Sequence, residues 1–174
     1  MILGMSTATY TLIHVLISLI AISSGFVVMY GLLGGKRLDR MTALFLTTTV
    51  LTSVTGFGFP MGDQLSPANK LGIISLVVLA IAVVARYPLH LAGGWRRTYV
   101  ISAAMALYLN TFVLVVQSFE KVPALKALAP TQKEPPFAIA QGTVLVAFIV
   151  LTIFAVKGFR NPQVAVSKSA SKAA

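Results

Sequence analysis

Cysteine is absent from this 174-residue chain, and acidic residues number only four. Without cysteine, disulfides, thiolate metal sites and cysteine nucleophiles are excluded. The acids, Asp39, Asp63, Glu120 and Glu134, are predicted to lie in loops. No long apolar run of the chain therefore carries a carboxylate, one of the groups that acid–base catalysis or metal binding there would use.

Charge of either sign is scarce. Charged residues make up 10% of the chain and hydrophobic residues 57%, and residues 1–35 contain no Lys, Arg, Asp or Glu. An ordinary soluble domain has about 25% charged and about 45–50% apolar residues. A chain of this length could not bury so much apolar surface in a water-soluble fold. Lipid is therefore predicted to be the solvent for most of it.

The apolar runs predict an all-α, five-span transmembrane helical bundle over residues 1–160. A bilayer core about 30 Å thick needs about 20 apolar helical residues. Five segments qualify: residues 8–33, 41–60, 71–91, 98–119 and 137–156. The third is interrupted by Arg86, which we expect to snorkel to the near interface. Residues 161–174 are predicted to form a flexible, basic cytoplasmic tail.

The distribution of Lys and Arg predicts the orientation. With the amino terminus outside, the inner regions hold ten basic residues and the outer loops hold four. Cytoplasmic loops are enriched in Lys and Arg, so we expect the amino terminus outside and the carboxyl terminus in the cytoplasm. The same rule explains the net charge of +10, and no basic helix face or RNA-binding motif indicates nucleic acid as a partner.

Breaker residues mark the connections. Gly34-Gly35 is predicted to end the first helix, and Asp39 is predicted to cap the second. The longest loop, EKVPALKALAPTQKEPP, contains four prolines. They predict an extended and partly rigid path for this loop.

Polar side chains within the spans fall mostly in the outer half of the membrane in this topology. They form a candidate outer-half polar cluster of His14, Ser18, Thr52, Thr55, Asn110, Gln117 and Gln141. Polar groups at one depth predict a hydrated cavity or a site for a polar lipid headgroup. The simpler interpretation is a packed bundle in which these groups bond between helices, and for His14 we favour a bond to a neighbouring helix.

The inner turn ARYPLHLAGGWRR combines basic and aromatic residues around a proline and two glycines. Arg86, His90, Arg96 and Arg97 form a candidate inner-face contact for lipid phosphate. Ordinary interfacial anchoring under the positive-inside rule explains the same residues, and we favour it.

No cofactor and no metal site is predicted. The two histidines, His14 and His90, fall on opposite faces of the membrane in this topology, so they could not both ligate one haem iron. A transition-metal site needs two or more clustered His, Cys or carboxylate ligands, and the sequence shows no such cluster.

Three stretches of the chain are TALFLTTTVLTSVTGFGFP, LGIISLVVLAIAVVARY and KVPALKALAPTQKEPPF. Together they resemble a group of small, uncharacterised bacterial inner-membrane proteins. The resemblance covers nearly the whole chain and implies a bacterial inner-membrane location. It implies no activity and no catalytic residue.

These observations predict a small integral membrane protein that acts as a non-enzymatic accessory or interaction subunit. Its expected partners are membrane lipid and either another membrane protein or further copies of itself. Two alternatives stay open. One is a small-ligand or lipid-binding, transport-related protein that uses the outer-half polar cluster, and the other is a haem- or quinone-associated electron-transfer protein.

Overall fold

The computed structural model describes residues 2, 4–59 and 66–159, and 81% of these residues are helical. Six helices follow one another along the described chain: α1 (Thr7–Leu33), α2 (Asp39–Gly56), α3 (Pro67–Arg86), α4 (Trp95–Lys121), α5 (Pro123–Leu128) and α6 (Pro135–Gly158). The all-helical class predicted from the sequence is confirmed. The predicted tail at 161–174 and the last residue of the predicted second span lie outside the described residues.

Four of the described helices, α1, α3, α4 and α6, are long and apolar enough to cross a membrane. The predicted five-span count is not confirmed, because α2 does not reach the same apolarity. That helix begins with Asp39 and Arg40 and contains six threonines. Its 18 residues give it a length of about 27 Å, close to the thickness of a bilayer core.

The five long helices run alternately between two ends of the bundle. One end, which we call the basic end, is where α1, α3 and α6 finish and α2 and α4 begin. It carries seven of the described basic residues: Lys36, Arg37, Arg40, Arg86, Arg96, Arg97 and Lys157. At the opposite end, where α1 begins beside the end of α2, the described basic residues are Lys70, Lys121, Lys126 and Lys133.

Helix α4 lies at the centre and packs against α1, α3 and α6. Half of its most apolar stretch is buried, against 11% for α6. Gly25 of α1 marks a close approach of three helices, because an added methyl group there would lie 2.5 Å from Leu107 of α4 and 2.9 Å from Phe45 of α2. Small residues allow such contacts, which bind helices together where lipid removes the usual hydrophobic drive.

A second close approach joins the two helices that are most distant in sequence. A methyl group on Gly158, the last residue of α6, would lie 2.3 Å from the carbonyl oxygen of Leu33, the last residue of α1. Gly142, on the same helix, has nothing within 4 Å of the equivalent position. The first and last long helices therefore meet backbone to backbone at the basic end.

The helix ends follow local rules, with two corrections. Ser6 accepts from the Thr9 amide at the start of α1, and Gly35, at φ +69°, follows the last turn of the same helix. Asp39 is not a cap, since Leu38 holds that position and makes no side-chain bond. The third helix ends at Arg86, five residues before the predicted end.

The proline-rich loop is also more ordered than the sequence analysis predicts. Pro123 starts the short helix α5, and Pro135 and Pro136 start α6. A proline in the first turn of a helix removes an amide that has no partner within the helix, and its fixed φ suits helical backbone. The predicted extended path is therefore wrong for Pro123–Leu128.

Candidate functional site

At the end of the bundle away from the basic end, which we call the opposite end, His14 of α1 contacts the last turn of α2. Its Nδ1 atom lies 2.8 Å from the Thr55 hydroxyl oxygen. That hydroxyl is also 2.7 Å from the carbonyl oxygen of Leu51. A hydroxyl has one hydrogen, so the arrangement that satisfies both contacts has Thr55 donating to Leu51 and His14 donating from Nδ1. This is the bond to a neighbouring helix favoured for His14.

Tyr10 strengthens the same junction. Its hydroxyl donates to the Thr55 carbonyl oxygen at 2.7 Å, one of the carbonyls that a helix end leaves without a partner in the helix. The ring of Phe59 packs edge-on against Tyr10 and His14, with centroid distances of 5.2 and 5.3 Å. A methyl group on Gly58 would overlap the Tyr10 hydroxyl. The segment after α2 thus folds over the start of α1.

The other members of the predicted polar cluster are divided among several contacts. Ser18 donates to the His14 carbonyl oxygen within α1, and Asn110 of α4 donates to Thr49 of α2 at 3.4 Å. Gln141 of α6 donates to the Phe112 carbonyl oxygen of α4 at 3.2 Å. Two members of the cluster make no such contact. The Thr52 hydroxyl is buried without a partner among the described residues, and the Gln117 side chain is exposed.

The structure therefore brings His14 and Thr55 together and ties Asn110 and Gln141 to other helices. The prediction of a hydrated cavity or headgroup site stays a prediction. Three polar atoms that are buried without a partner among the described residues belong to Thr52, Asn69 and Gln141. All three residues lie in the half of the bundle nearer the opposite end.

At the basic end, Arg86 pairs with Asp39. Nη2 of Arg86, the last residue of α3, donates to Oδ1 of Asp39, the first residue of α2. The Arg86 side chain is only 5% exposed, whereas that of Asp39 is 79% exposed. Arg86 is therefore covered by protein and does not extend freely to the interface as the sequence analysis predicts.

Aromatic rings provide part of that cover. The guanidinium carbon of Arg86 is 5.0 Å from the ring centroid of Tyr99 on α4 and 5.9 Å from that of Tyr87. Cation–π contacts contribute about 2 kcal/mol where the cation is desolvated. The Tyr99 hydroxyl lies 3.5 Å from that of Thr42 on α2. We call Asp39, Thr42, Arg86 and Tyr99 the Arg86 clamp, because they join α2, α3 and α4.

The remaining members of the predicted phosphate contact have separate surroundings. Arg96 lies over the Phe159 ring at 5.1 Å, and Arg37 is close enough for the two positive charges to repel. His90 is exposed, and its Nδ1 lies 3.0 Å from the Pro88 carbonyl oxygen. Arg97 is exposed. Because Arg86 is buried in the clamp, only the exposed basic side chains at this end are open to the predicted contact with lipid phosphate.

The turn that carries His90 has a strained backbone. His90 and Leu91 have φ values of +48° and +57°, a region that costs a residue with a side chain about 1 kcal/mol. Leu91 is nonetheless 2% exposed and belongs to the core. The strain is offset by the burial of that leucine, which holds the turn against the bundle.

The loop before α6 is organised by a carboxylate. Glu134 accepts from the hydroxyl and amide of Thr131 and from the amide of Lys133. The Thr131 hydroxyl bond, with the backbone amides, lowers the pKa of the Glu134 carboxyl below its ordinary value. These bonds stabilise the charged form of the carboxyl.

The geometry separates the two histidines. His14 lies near the start of α1 at the opposite end, and His90 follows α3 at the basic end. They cannot ligate one haem iron from its two sides. Among residues 2, 4–59 and 66–159, no group of three His, Asp or Glu side chains is arranged to hold a metal ion.

The chain belongs to the class of all-helical bundles, and four of its described helices are able by length and composition to cross a membrane. Comparison with protein-family models, with curated proteins and with solved structures finds no match for it. The resemblance to small bacterial inner-membrane proteins therefore stays a prediction.

Sequence reasoning missed several residues of these sites. Asp39 was expected to be a cap, and Tyr10 and Tyr99 had no assigned role. The clamp joins residues 47 positions apart, which no local pattern indicates. One signal was present, because an isolated arginine at the end of an apolar run needs a partner, and an acid at the start of a neighbouring run can supply it.

Proposed function

We propose that this chain is a five-span protein of a bacterial inner membrane, with its amino terminus outside, that serves as a non-enzymatic accessory or interaction subunit. The observation that carries the proposal is a pair of hydroxyl groups on the outer surface of α1 and α2. Both would face the membrane, and neither has a partner among the described residues.

Helix α2 is the fifth proposed membrane span. Helix α2 reaches from the Arg86 clamp at one end to the His14–Thr55 bond at the other. Three of its six threonines also bond back to their own helix, since Thr48, Thr49 and Thr55 donate to the carbonyl oxygens of Leu44, Phe45 and Leu51. Such back-bonding reduces the cost of a hydroxyl in lipid. We therefore count α2 as a span, which places the two termini on opposite sides.

The charges at the two ends of the bundle support the proposed orientation in the membrane. The basic end holds seven described basic residues and one acid, Asp39, whereas the opposite end holds four described basic residues and two acids, Glu120 and Glu134. Cytoplasmic faces are enriched in Lys and Arg. The basic end is therefore assigned to the cytoplasm and the start of α1 to the outside.

The proposed interaction surface lies between α1 and α2. A shallow groove of about 350 Å³ between α1 and α2 is lined by Leu16, Leu19, Ile20, Ser23, Ser24, Met41 and Leu44. We call it, with Thr47 one helical turn beyond Leu44, the α1/α2 face. Ser23 and Thr47 are exposed and, unlike Ser24, make no hydrogen bond within the described chain. In a membrane such hydroxyls are satisfied by another helix.

Site-specific crosslinking tests this proposal. We expect a photoreactive residue at position 23 or 47 to crosslink, in membranes, to a helix of another membrane protein or of a second copy. The same residue at Val77 of α3, also exposed, should label lipid only. In native mass spectrometry, Ser23→Val with Thr47→Val should dissociate the complex. Thr143→Val is the control, because that exposed hydroxyl bonds to Ile139.

Labelling of lipid alone from positions 23 and 47 would contradict the interaction role. The orientation is tested separately. Reporter tags should place the amino end outside and the carboxyl end in the cytoplasm. Tags on the same side would rule out five spans, and the reverse placement would rule out the proposed orientation.

A second candidate function is binding of a small polar ligand or headgroup from the opposite end. It is favoured by the three buried polar atoms of Thr52, Asn69 and Gln141, which lack partners within the described chain. Burial of an unbonded polar group costs about 1–3 kcal/mol, which a ligand or water could recover. If this candidate is right, Thr52→Val with Gln141→Leu should abolish retention of the ligand. Stabilisation of the bundle without loss of any ligand would contradict it.

A further inference from the structure

A groove between α4 and α6 faces outward from the bundle. Its volume is about 490 Å³, within the range of about 300–1,000 Å³ typical of ligand sites. Ile101 and Met105 of α4 form one wall, and Ile149 and Ile153 of α6 form the other. The walls are almost wholly apolar, so the occupant must itself be apolar along most of its length.

The groove is shorter than a membrane-spanning helix. On α6 it runs from Leu145 to Lys157, which corresponds to about 18 Å of helix. Half of a bilayer core is about 15 Å thick. Toward the bilayer centre, the rings of Tyr108 and Phe148 pack edge-on at 5.7 Å and form part of the groove wall. A groove of this length fits one acyl chain of a single leaflet, whereas a partner helix would need about twice that length.

The end of the groove at the membrane surface is positively charged. Lys157 lines the groove there, and Arg97 lies one turn before Ile101 on the same stripe of α4. Both residues are exposed. None of the described residues that line the groove is acidic. A phosphate group at the interface is the anion that such a lysine and arginine bind.

We propose that the α4/α6 groove binds an anionic phospholipid of the leaflet at the basic end. One acyl chain lies along Ile101, Met105 and Ile149, and the phosphate contacts Lys157 and Arg97. The inference rests on the proposed membrane crossing of α4 and α6 but not on the α1/α2 face.

The headgroup contact is tested with the purified full-length chain in detergent. Phosphatidylglycerol or phosphatidylcholine is titrated in, and bound lipid is counted by native mass spectrometry. Arg97→Gln with Lys157→Gln should weaken phosphatidylglycerol binding at least about tenfold, given the contribution of each basic residue near a lipid surface. Lys36→Gln with Arg40→Gln is the control, because it removes the same charge from the same end outside the groove.

The acyl-chain contact is tested with a phosphatidylglycerol that carries a photoreactive group in its chain. Label is expected on the peptides that contain Ile101–Met105 and Ile149–Ile153. Ile149→Trp, which fills the groove, should abolish this labelling, while Ile81→Trp on the exposed face of α3 should leave it unchanged. Free glycerol phosphate should not compete, since it lacks the acyl chain.

Three results would overturn the proposal. They are equal losses of binding in the two charge variants, labelling spread evenly over all exposed helices, and a crosslinked protein helix in the groove. Ser23→Val with Thr47→Val should leave lipid binding unchanged, so loss of the protein complex and loss of the lipid are separate outcomes.

Discussion

The two ends of this bundle are held together by different chemistry. At the basic end, α2 and α3 are joined by the Arg86–Asp39 ion pair, and α1 and α6 meet where Gly158 lies against the Leu33 carbonyl. At the opposite end, hydrogen bonds from His14 and Tyr10 reach the last turn of α2. In the Arg86–Asp39 ion pair one partner is covered, because the Arg86 side chain is 5% exposed and that of Asp39 is 79% exposed. Loss of the carboxylate would leave the covered guanidinium without its partner, which costs more than the loss of one hydrogen bond between helices.

The comparison also explains how a helix with six threonines can lie among apolar neighbours. Helix α2 is attached at both ends by side chains of α1 and α3. These attachments add to the burial of its Phe45 and Leu46 in the core. The following variants, in order of expected effect, separate the contribution of each end. The free energy of unfolding is measured by SDS titration in mixed micelles.

The largest effect is expected from Gly158→Ala. The new methyl group would lie 2.3 Å from a backbone carbonyl oxygen, which cannot rotate away, so α1 and α6 must separate. We expect a loss of about 3 kcal/mol. Gly142→Ala on the same helix should stabilise the bundle by up to about 1 kcal/mol, because that position is open. Equal effects of the two variants would contradict the close approach at the basic end.

The next effect compares two ion pairs. Asp39→Asn leaves the covered guanidinium of Arg86 without its carboxylate, and we expect a loss of about 2 kcal/mol, below the full cost of a buried pair because Asp39 is exposed. Glu120→Gln breaks the exposed pair with Lys121 and should cost less than about 0.5 kcal/mol. A smaller loss of unfolding free energy for Asp39→Asn than for Glu120→Gln would contradict the proposed difference between the covered and the exposed ion pair.

At the opposite end, the His14–Thr55 bond should contribute about 0.6 kcal/mol, the average that double-mutant cycles give for hydrogen bonds between membrane helices. A double-mutant cycle with His14→Leu and Thr55→Val measures it. The double variant should lose less than the sum of the single losses, since both remove the same bond. Additive losses would show that the two side chains act independently.

The smallest effect concerns pH and the loop before α6. Because the folded-state pKa of Glu134 is lowered, its stabilisation is complete above the ordinary pKa of about 4.3 and is lost as the pH falls through the lower folded value. Protection factors of the Thr131 and Lys133 amides should fall in that acidic range. Glu134→Gln should remove this dependence, and Glu120→Gln should keep it.

Much of the helical architecture could be predicted from apolar runs, because long unbroken runs specify helices locally. Small residues on one face of a helix are also buried: Ala21 and Gly25 of α1 and Ala82 of α3. Helical spacing places such residues together whatever the partner is.

The pairings between distant residues could not be predicted. Nothing in the local sequence indicates that Asp39 meets Arg86 or that Gly158 meets Leu33, since these depend on which helices become neighbours. The order within Pro123–Leu128 was missed for a different reason. Proline was interpreted as a sign of extended chain, although it also starts helices.

The contact between Leu33 and Gly158 has a consequence for biosynthesis. Helix α1 is synthesised before α6, and part of its packing surface lies on α6, about 125 residues later in the chain. A nascent chain interrupted before α6 would leave that part of α1 facing lipid or a chaperone. The contact between α1 and α6 can therefore close only after synthesis has reached the end of α6.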